Sequence, residues 1–185
     1  MADINQLITN FYDQAVERDF SRDINFRVTN IVPGPGAPDI TFSENDLVYA
    51  KGGSVPGRDI TNITAKYMGL NFNIPGVVQY PGSDRYTLDF YCDRASEIRQ
   101  KFEEWSRALF NDTNSTGNYQ VPSKESYLVM AQLNPDFSTV DGGSYKLVGV
   151  SIRNVGELKY AVAEGTGAPV SFSVTMAYHY YEIID

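Results

Sequence analysis

Few side chains in this sequence could do chemistry, and each sits where another role suits it better. A Ser-His-acid hydrolase would have to use His179, the single histidine. That residue shares the polar face of a terminal alternating segment with Ala177 and Tyr181, which fits a structural imidazole better than a general base steered by an acid. Cys92, the single cysteine, continues the alternation of Tyr86, Leu88 and Phe90, so its thiol is expected in the core. One Cys and one His supply neither an internal disulfide nor a structural zinc set. The run Gly52, Gly53, Ser54, Val55, Pro56, Gly57 is followed by Arg58 and Asp59, where a phosphate-cradling loop needs Lys and then Ser or Thr. Paired carboxylates for glycoside hydrolysis must stand about 5 to 9 Å apart in a fixed orientation. Among 23 acidic residues some such pair can always be imagined, so abundance selects none. The expectation is a protein that is not an enzyme and takes no cofactor or metal.

Charge and composition narrow the class further. Fifteen basic against 23 acidic residues leave a formal charge of −8, which works against tight binding to phosphate backbones and makes a sequence-reading nucleic-acid binder a poor reading. Thirteen Tyr and ten Phe fall largely in alternating segments, the pattern of a pleated, half-buried surface. A chain of 185 residues suffices for one domain with a real core, so residues 1–185 are read as a single domain. Nowhere do about 18 apolar residues run together, so no membrane insertion is expected. The Met1 to Asn5 stretch carries neither a basic nor an apolar leader region, and folding in the cytosol is the expectation.

The elements follow from periodicity. Ile4, Leu7, Ile8, Phe11 and Ala15 recur at helical spacing and predict an amphipathic helix over 3–18 with one face against the body. Ile24, Phe26, Val28 and Val32 predict a first strand, ended by three prolines within 33–38. A strand over Leu47 to Lys51, a projecting loop over 52–59 and a strand over Ile63 to Ile74 follow. In that last strand Met68, Leu70, Phe72 and Ile74 are read as one face, and Tyr67, Asn71 and Asn73 as the other, with Gly69 a bulge or close approach. Tyr86 to Cys92 is a strand with one buried face, and Asp93 caps a helix over 94–110 whose stripe is Ile98, Phe102, Trp105 and Leu109. On its other face Glu97 with Lys101, or Glu103 with Arg107, are spaced to pair weakly. Residues 111–124 are read as loop. Next comes a strand with Tyr127, Val129, Ala131 and Leu133 on one face, then a turn over 134–144. A strand over Tyr145 to Ile152, with a bulge near Gly149, breaks sharply at Asn154, Val155, Gly156 and Glu157. A last strand runs from Val170 to Tyr180.

Two stretches resemble a known family, the tail tube proteins of contractile-tailed bacteriophages, which are related to the tubes of contractile injection systems. The first is Tyr49-Ala50-Lys51-Gly52-Gly53-Ser54-Val55-Pro56-Gly57, then Ile74-Pro75-Gly76, then the Tyr86 to Cys92 strand leading into Arg99-Gln100-Lys101-Phe102-Glu103-Glu104-Trp105. The second is the Asn154-Val155-Gly156-Glu157-Leu158 corner, followed by an aromatic end at Tyr178 to Tyr181. The proline-rich 33–38 stretch and the 111–124 loop depart from the pattern.

The resemblance implies a mainly β protein with one or two helices, a β-sandwich or barrel subunit of a ring-forming tube. It implies hexameric rings stacked inside a contractile sheath as a conduit for DNA, which passes without sequence-specific binding. The implied partners are further copies of the chain, with sheath, baseplate and terminator proteins, and the implied place is a virion tail assembled in the bacterial cytoplasm. Gly52, Gly53, Ser54, Val55, Pro56, Gly57, Arg58 and Asp59, with Asn154, Val155, Gly156 and Glu157, are the expected contacts between subunits or rings. Two alternatives stay open: a carbohydrate- or protein-binding β-sandwich, and a tube subunit of a non-viral contractile injection system.

Overall fold

The computed structural model describes residues 4–37, 39–117, 124–163 and 165–184. Among the described residues, helices α1 (Ile4–Arg18), α2 (Glu44–Leu47) and α3 (Glu97–Leu109) accompany twelve strands. These are β1 (Phe26–Val32), β2 (Ala50–Gly52), β3 (Asp59–Tyr67), β4 (Leu70–Gln79), β5 (Tyr86–Tyr91), β6 (Phe110–Asn111), β7 (Thr116–Gly117), β8 (Tyr127–Leu133), β9 (Thr139–Val148), β10 (Ser151–Val155), β11 (Ser171–Ala177) and β12 (Tyr180–Ile184). Two four-stranded antiparallel sheets, ordered β1-β8-β9-β12 and β10-β11-β5-β2, face each other across the core. The start of the expected first helix, the end of the proline stretch at Pro38, and 118–123 of the expected loop lie outside the described residues.

Val28, Leu128, Met130 and Leu147 from the first sheet meet Leu88, Phe90, Phe172, Val174 and Met176 from the second, all essentially without solvent contact. Helix α3 closes one side with the stripe its spacing predicts. Ile98, Phe102 and Trp105 are buried, and the Phe102 ring packs on Phe90 at 5.1 Å, Phe42 at 4.7 Å and Phe172 at 6.3 Å between centroids. The Asp93 carboxylate does cap this helix, accepting from the N–H groups of Glu97 (3.0 Å) and Ile98 (3.3 Å). The expected pairs along its polar face are replaced by others. Arg99 pairs with Glu103, and Lys101 reaches Asp46 of α2 at 2.7 Å. Burial alone would raise the Asp46 carboxyl, but bonds from Lys101 and Ser43 outweigh it and hold the group below its ordinary value.

Several strands differ from the expected ones, each for a local reason. A register shift between Val28 and Asn30 adds a residue to β1, so Ile31, and not Val32, turns into the core. In β8 the fully buried residues are Leu128 and Met130, with Ala131 and Leu133 joining them where the register shifts again. Leu47 closes a helical turn, capped by the reciprocal Ser43 and Asp46 bonds, and does not open a strand. Strand β9 begins at Thr139, well inside the expected turn.

The sharp corner lies at Gly149, not at 154–157. Strand β9 ends in the first sheet at Val148, and β10 begins in the second at Ser151. Gly149 takes φ +73°, a conformation that costs a side-chain-bearing residue. The chain crosses between the sheets a second time beside it, at Tyr178 and His179 between β11 and β12, so the expected strand through Tyr180 is two strands. The two crossings hold each other: the His179 N–H donates to Val148 O (2.9 Å), and the Gly149 N–H donates to Ser126 O (2.8 Å). A Cβ on Gly149 would stand 2.0 Å from His179 Cδ2, so the solvent-exposed imidazole lies directly over the glycine.

Gly149→Ala is expected to lower stability by about 1 to 3 kcal/mol. In denaturant melts, adding His179→Ala should return the part due to overlap with the ring and leave the backbone part. Equal melting of Gly149→Ala and the unaltered chain would contradict this account of the corner.

Candidate assembly interface

Strands β3 and β4 form a long hairpin outside the two four-stranded sheets, and its register explains its character. Tyr67 pairs with Leu70 across a two-residue turn in which Met68 (φ +49°) and Gly69 (φ +80°) both have positive φ, as the tight hairpin turn requires. The strand expected over Ile63 to Ile74 is therefore two strands, and Gly69 is a turn residue. Opposite residues share a face. The pairs Ile63 with Ile74, Ala65 with Phe72, and Tyr67 with Leu70 make one face apolar. The pairs Thr64 with Asn73 and Lys66 with Asn71 make the other polar. The turn moves Tyr67 onto the face of Leu70 and Phe72, opposite to the side expected from simple alternation.

Both faces lie in solvent. Every residue of β3 and β4 is exposed, including Ile63 (59%), Tyr67 (69%), Leu70 (62%) and Phe72 (48%). Helix α1 repeats the pattern: it forms where expected, yet Ile4, Leu7, Ile8 and Phe11 are all more than half exposed and do not rest on the body. Contiguous apolar surface of this kind on a monomer marks a contact with another molecule.

The residues picked from sequence fall into two separate places. Gly52 ends β2 opposite Asp89, Asp59 opens β3 opposite Gln79, and residues 53–58 link them. That link is tethered to the body at its start and middle. Gly53 lies so close to Leu88 and Phe26 that a Cβ would come within 2.5 Å of the Leu88 side chain, Pro56 is buried, and Tyr86 Oη donates to Ser54 O at 2.7 Å. What extends from the body is the hairpin that the link feeds. Val55, Gly57 and Arg58 remain exposed at its root. Asn154 and Val155 pair with Thr175 and Val174 as the end of β10. Gly156 continues that ladder with its N–H on Ser173 O (2.7 Å) while Arg99 donates to its carbonyl, and Glu157 pairs with Lys159 at 3.1 Å. Strands β2 and β10 are the opposite edges of one sheet, so the two segments are not brought together within a chain. Sequence reading put Leu70, Phe72 and Ile74 on one face but missed the hairpin that pairs them with Tyr67, Ala65 and Ile63, because its turn uses Met68, where Asn or Asp is the usual signal.

Cys92 Sγ sits 3.4 Å from Ser96 Oγ, and no group of three His, Cys, Asp or Glu able to hold a metal ion occurs among the described residues. An open cleft of about 730 Å³ lies beside Tyr160 and Val170, and among the described residues that line it the charged Glu157 and Lys159 pair with each other. Three of the tyrosines pack on one another: Tyr178 meets Tyr86 at 5.9 Å and Tyr80 at 6.4 Å between centroids.

No family model and no curated protein matches the sequence. Solved structures do match. The tube-terminating cap of the anti-feeding prophage aligns over 89% of this chain and 91% of its own at 10% identity, with a TM-score of 0.57. A chain of the PVC sheath-tube complex, an extracellular contractile injection system in its extended state, aligns over 93% of this chain and 97% of its own at 13% identity, with a TM-score of 0.50. The chain has the antiparallel β fold of contractile injection system tube and cap proteins.

Tyr86 and Tyr178 generate a pH prediction. Burial raises both phenols above their ordinary value, with Tyr181 and Tyr80 adding to the effect at Tyr178. A raised folded-state pKa contributes stability that is complete below the unfolded value of about 10 and is lost as pH rises beyond it. Denaturant melts should therefore show stability falling above about pH 10. Tyr86→Phe should lower neutral-pH stability by about 1 kcal/mol through the lost bond to Ser54 and flatten the alkaline fall. An unchanged alkaline slope would contradict the burial argument.

Proposed function

We propose that this chain is a structural tube subunit whose copies close into hexameric rings, and that the rings stack into the inner conduit of a contractile particle. The observation that carries the reading is the apolar ribbon face of β3–β4, wholly exposed on a fold shared with a tube-terminating cap. An isolated two-stranded hairpin is marginal in water, so this one needs a partner to persist. Strands β2 and β10, and likewise β1 and β12, are the edges of their sheets, where pairing between copies would occur. Closing such edges around an axis removes the hazard of open-ended aggregation, whereas ring-on-ring contact is heterologous and propagates until a cap or baseplate stops it.

In this reading the Gly52 to Asp59 segment roots the hairpin, and Gly156 with Glu157 lies at the far edge of the same sheet, where the next copy arrives. Six copies at −8 would give a ring −48 overall, screened beyond about 8 Å at physiological salt. DNA passing through would be repelled on close approach and not held. A bore lined mainly by Lys and Arg would contradict that part. Sheath, baseplate and terminator proteins are the remaining partners, and a virion tail is the setting. A conduit for protein cargo in a non-viral particle is the second reading, favoured by the likeness to injection-system structures. Electron microscopy of particles from cells carrying the native locus separates the two by the presence or absence of a DNA-filled capsid.

The concentrated protein should form rings or tubes in negative stain. Phe72→Asp and Leu70→Lys should leave monomer stability within about 0.5 kcal/mol, since both side chains are exposed. Each should weaken assembly at least tenfold, because burying such a side chain is worth about 1.5 to 3 kcal/mol per contact. Assembly unaffected by either change would contradict the ribbon's role. A monomer at every concentration, with measurable glycan affinity, would replace the tube reading with that of a binding module.

A further inference from the structure

Two apolar faces stand unpartnered among the described residues, one on a helix and one on a ribbon, and their dimensions match. From Ile4 to Ala15 the stripe of α1 covers about 16 Å along the helix axis. Ile63 to Tyr67 on the ribbon covers about 13 Å, extended toward Thr61 and Val77 to about 20 Å. The ribbon is two strands wide, about 10 Å including its flanks, and a helix with its side chains is about 10 to 12 Å across. One helix is therefore of a size to cover one ribbon face. Together the two stripes offer on the order of 1,000 Å² of surface, the size a specific interface has to reach.

Within one chain the two stay apart. Helix α1 ends at Asp19, whose φ of +55° turns the chain and whose N–H still closes on Ala15 O. The link to β1 is then fixed to the first sheet by Gln132 Nε2 on Ser21 Oγ (2.7 Å) and by the Leu133 N–H on Asn25 O (3.0 Å). The hairpin instead leaves the second sheet through the tethered segment after Gly52. Both stripes are consequently left exposed to solvent.

We propose that the apolar face of the β3–β4 ribbon is covered by α1 of another copy of this chain, so that each subunit gives its helix to one neighbour and accepts a helix from another. The inference rests on the tube reading and deepens it by naming the occupant of the ribbon. The contact is heterologous, which is what a ring or stack requires and a closed twofold dimer does not.

The test uses two full-length variants. One carries Leu7→Asp and Phe11→Asp and cannot donate its helix. The other carries Leu70→Asp and Phe72→Asp and cannot accept one. Circular dichroism first confirms that both fold. Each alone should sediment as a monomer at a concentration where the unaltered chain assembles. Mixed in equal amounts, they should give a 1:1 heterodimer and nothing larger, because one productive junction remains. A mixture that stays monomeric overturns the inference. So does unimpaired assembly of the helix variant alone, which leaves the tube reading intact. Failure of the unaltered chain to assemble at all counts against the tube reading itself. A Phe11→Cys and Phe72→Cys pair in a Cys92→Ser background should cross-link between chains, and a purely intrachain disulfide would overturn the proposal.

Discussion

The arrangement depends on one constraint: the chain passes between the two sheets twice at the same place. Gly149 carries β9 into β10, Tyr178 and His179 carry β11 into β12, and the His179 N–H bond to Val148 O locks one crossing to the other. Ser126 fastens the site from below, accepting from Gly149 and Val150 and donating its hydroxyl to Val150 O. Because the crossings fix how the sheets face each other, they also decide which side chains interdigitate with the Phe102 and Trp105 stripe of α3. Only glycine meets both demands at position 149, a positive φ and an imidazole resting on its α-carbon.

That closed core leaves two elements with nothing to bury against. A ribbon with one apolar and one polar face is half of a sheet packing, and an amphipathic helix is half of a helix packing. Neither is stabilised by the body that holds it. The fold is shared with a tube-terminating cap and with a chain of a sheath-tube complex. In such a fold these surfaces are where association free energy can be stored without compromising the subunit itself.

How much could be read from the sequence varied with the range of the interactions involved. Helix α3 was legible because its stripe and its Asp93 cap are local, and β5 because Tyr86, Leu88 and Phe90 alternate without interruption. The β3–β4 turn was not, since Met68 adopts a positive φ that its side chain does not advertise. The faces of β1 and β8 were misplaced by register shifts set by their partners. The corner at Gly149 looked like a bulge because alternation resumes after it, and the switch of sheets is dictated by Ser126 and His179 from far along the chain. Helix α1 showed its need for a partner in its pattern, but no local pattern says that the partner is absent from its own domain. Of the residues picked as contacts, Gly53, Ser54 and Pro56 serve to tether the hairpin, while Leu70, Phe72 and Ile74, read as one face of a strand, were not among those picked.

Amide hydrogen exchange followed with rising protein concentration tests the central claim, self-association through these unpartnered surfaces, most directly. The account predicts fast exchange along β3 and β4 in dilute protein, and strong added protection there, and in α1, once rings form, with the core strands unchanged. Equal exchange of the ribbon in dilute and assembled protein would contradict it.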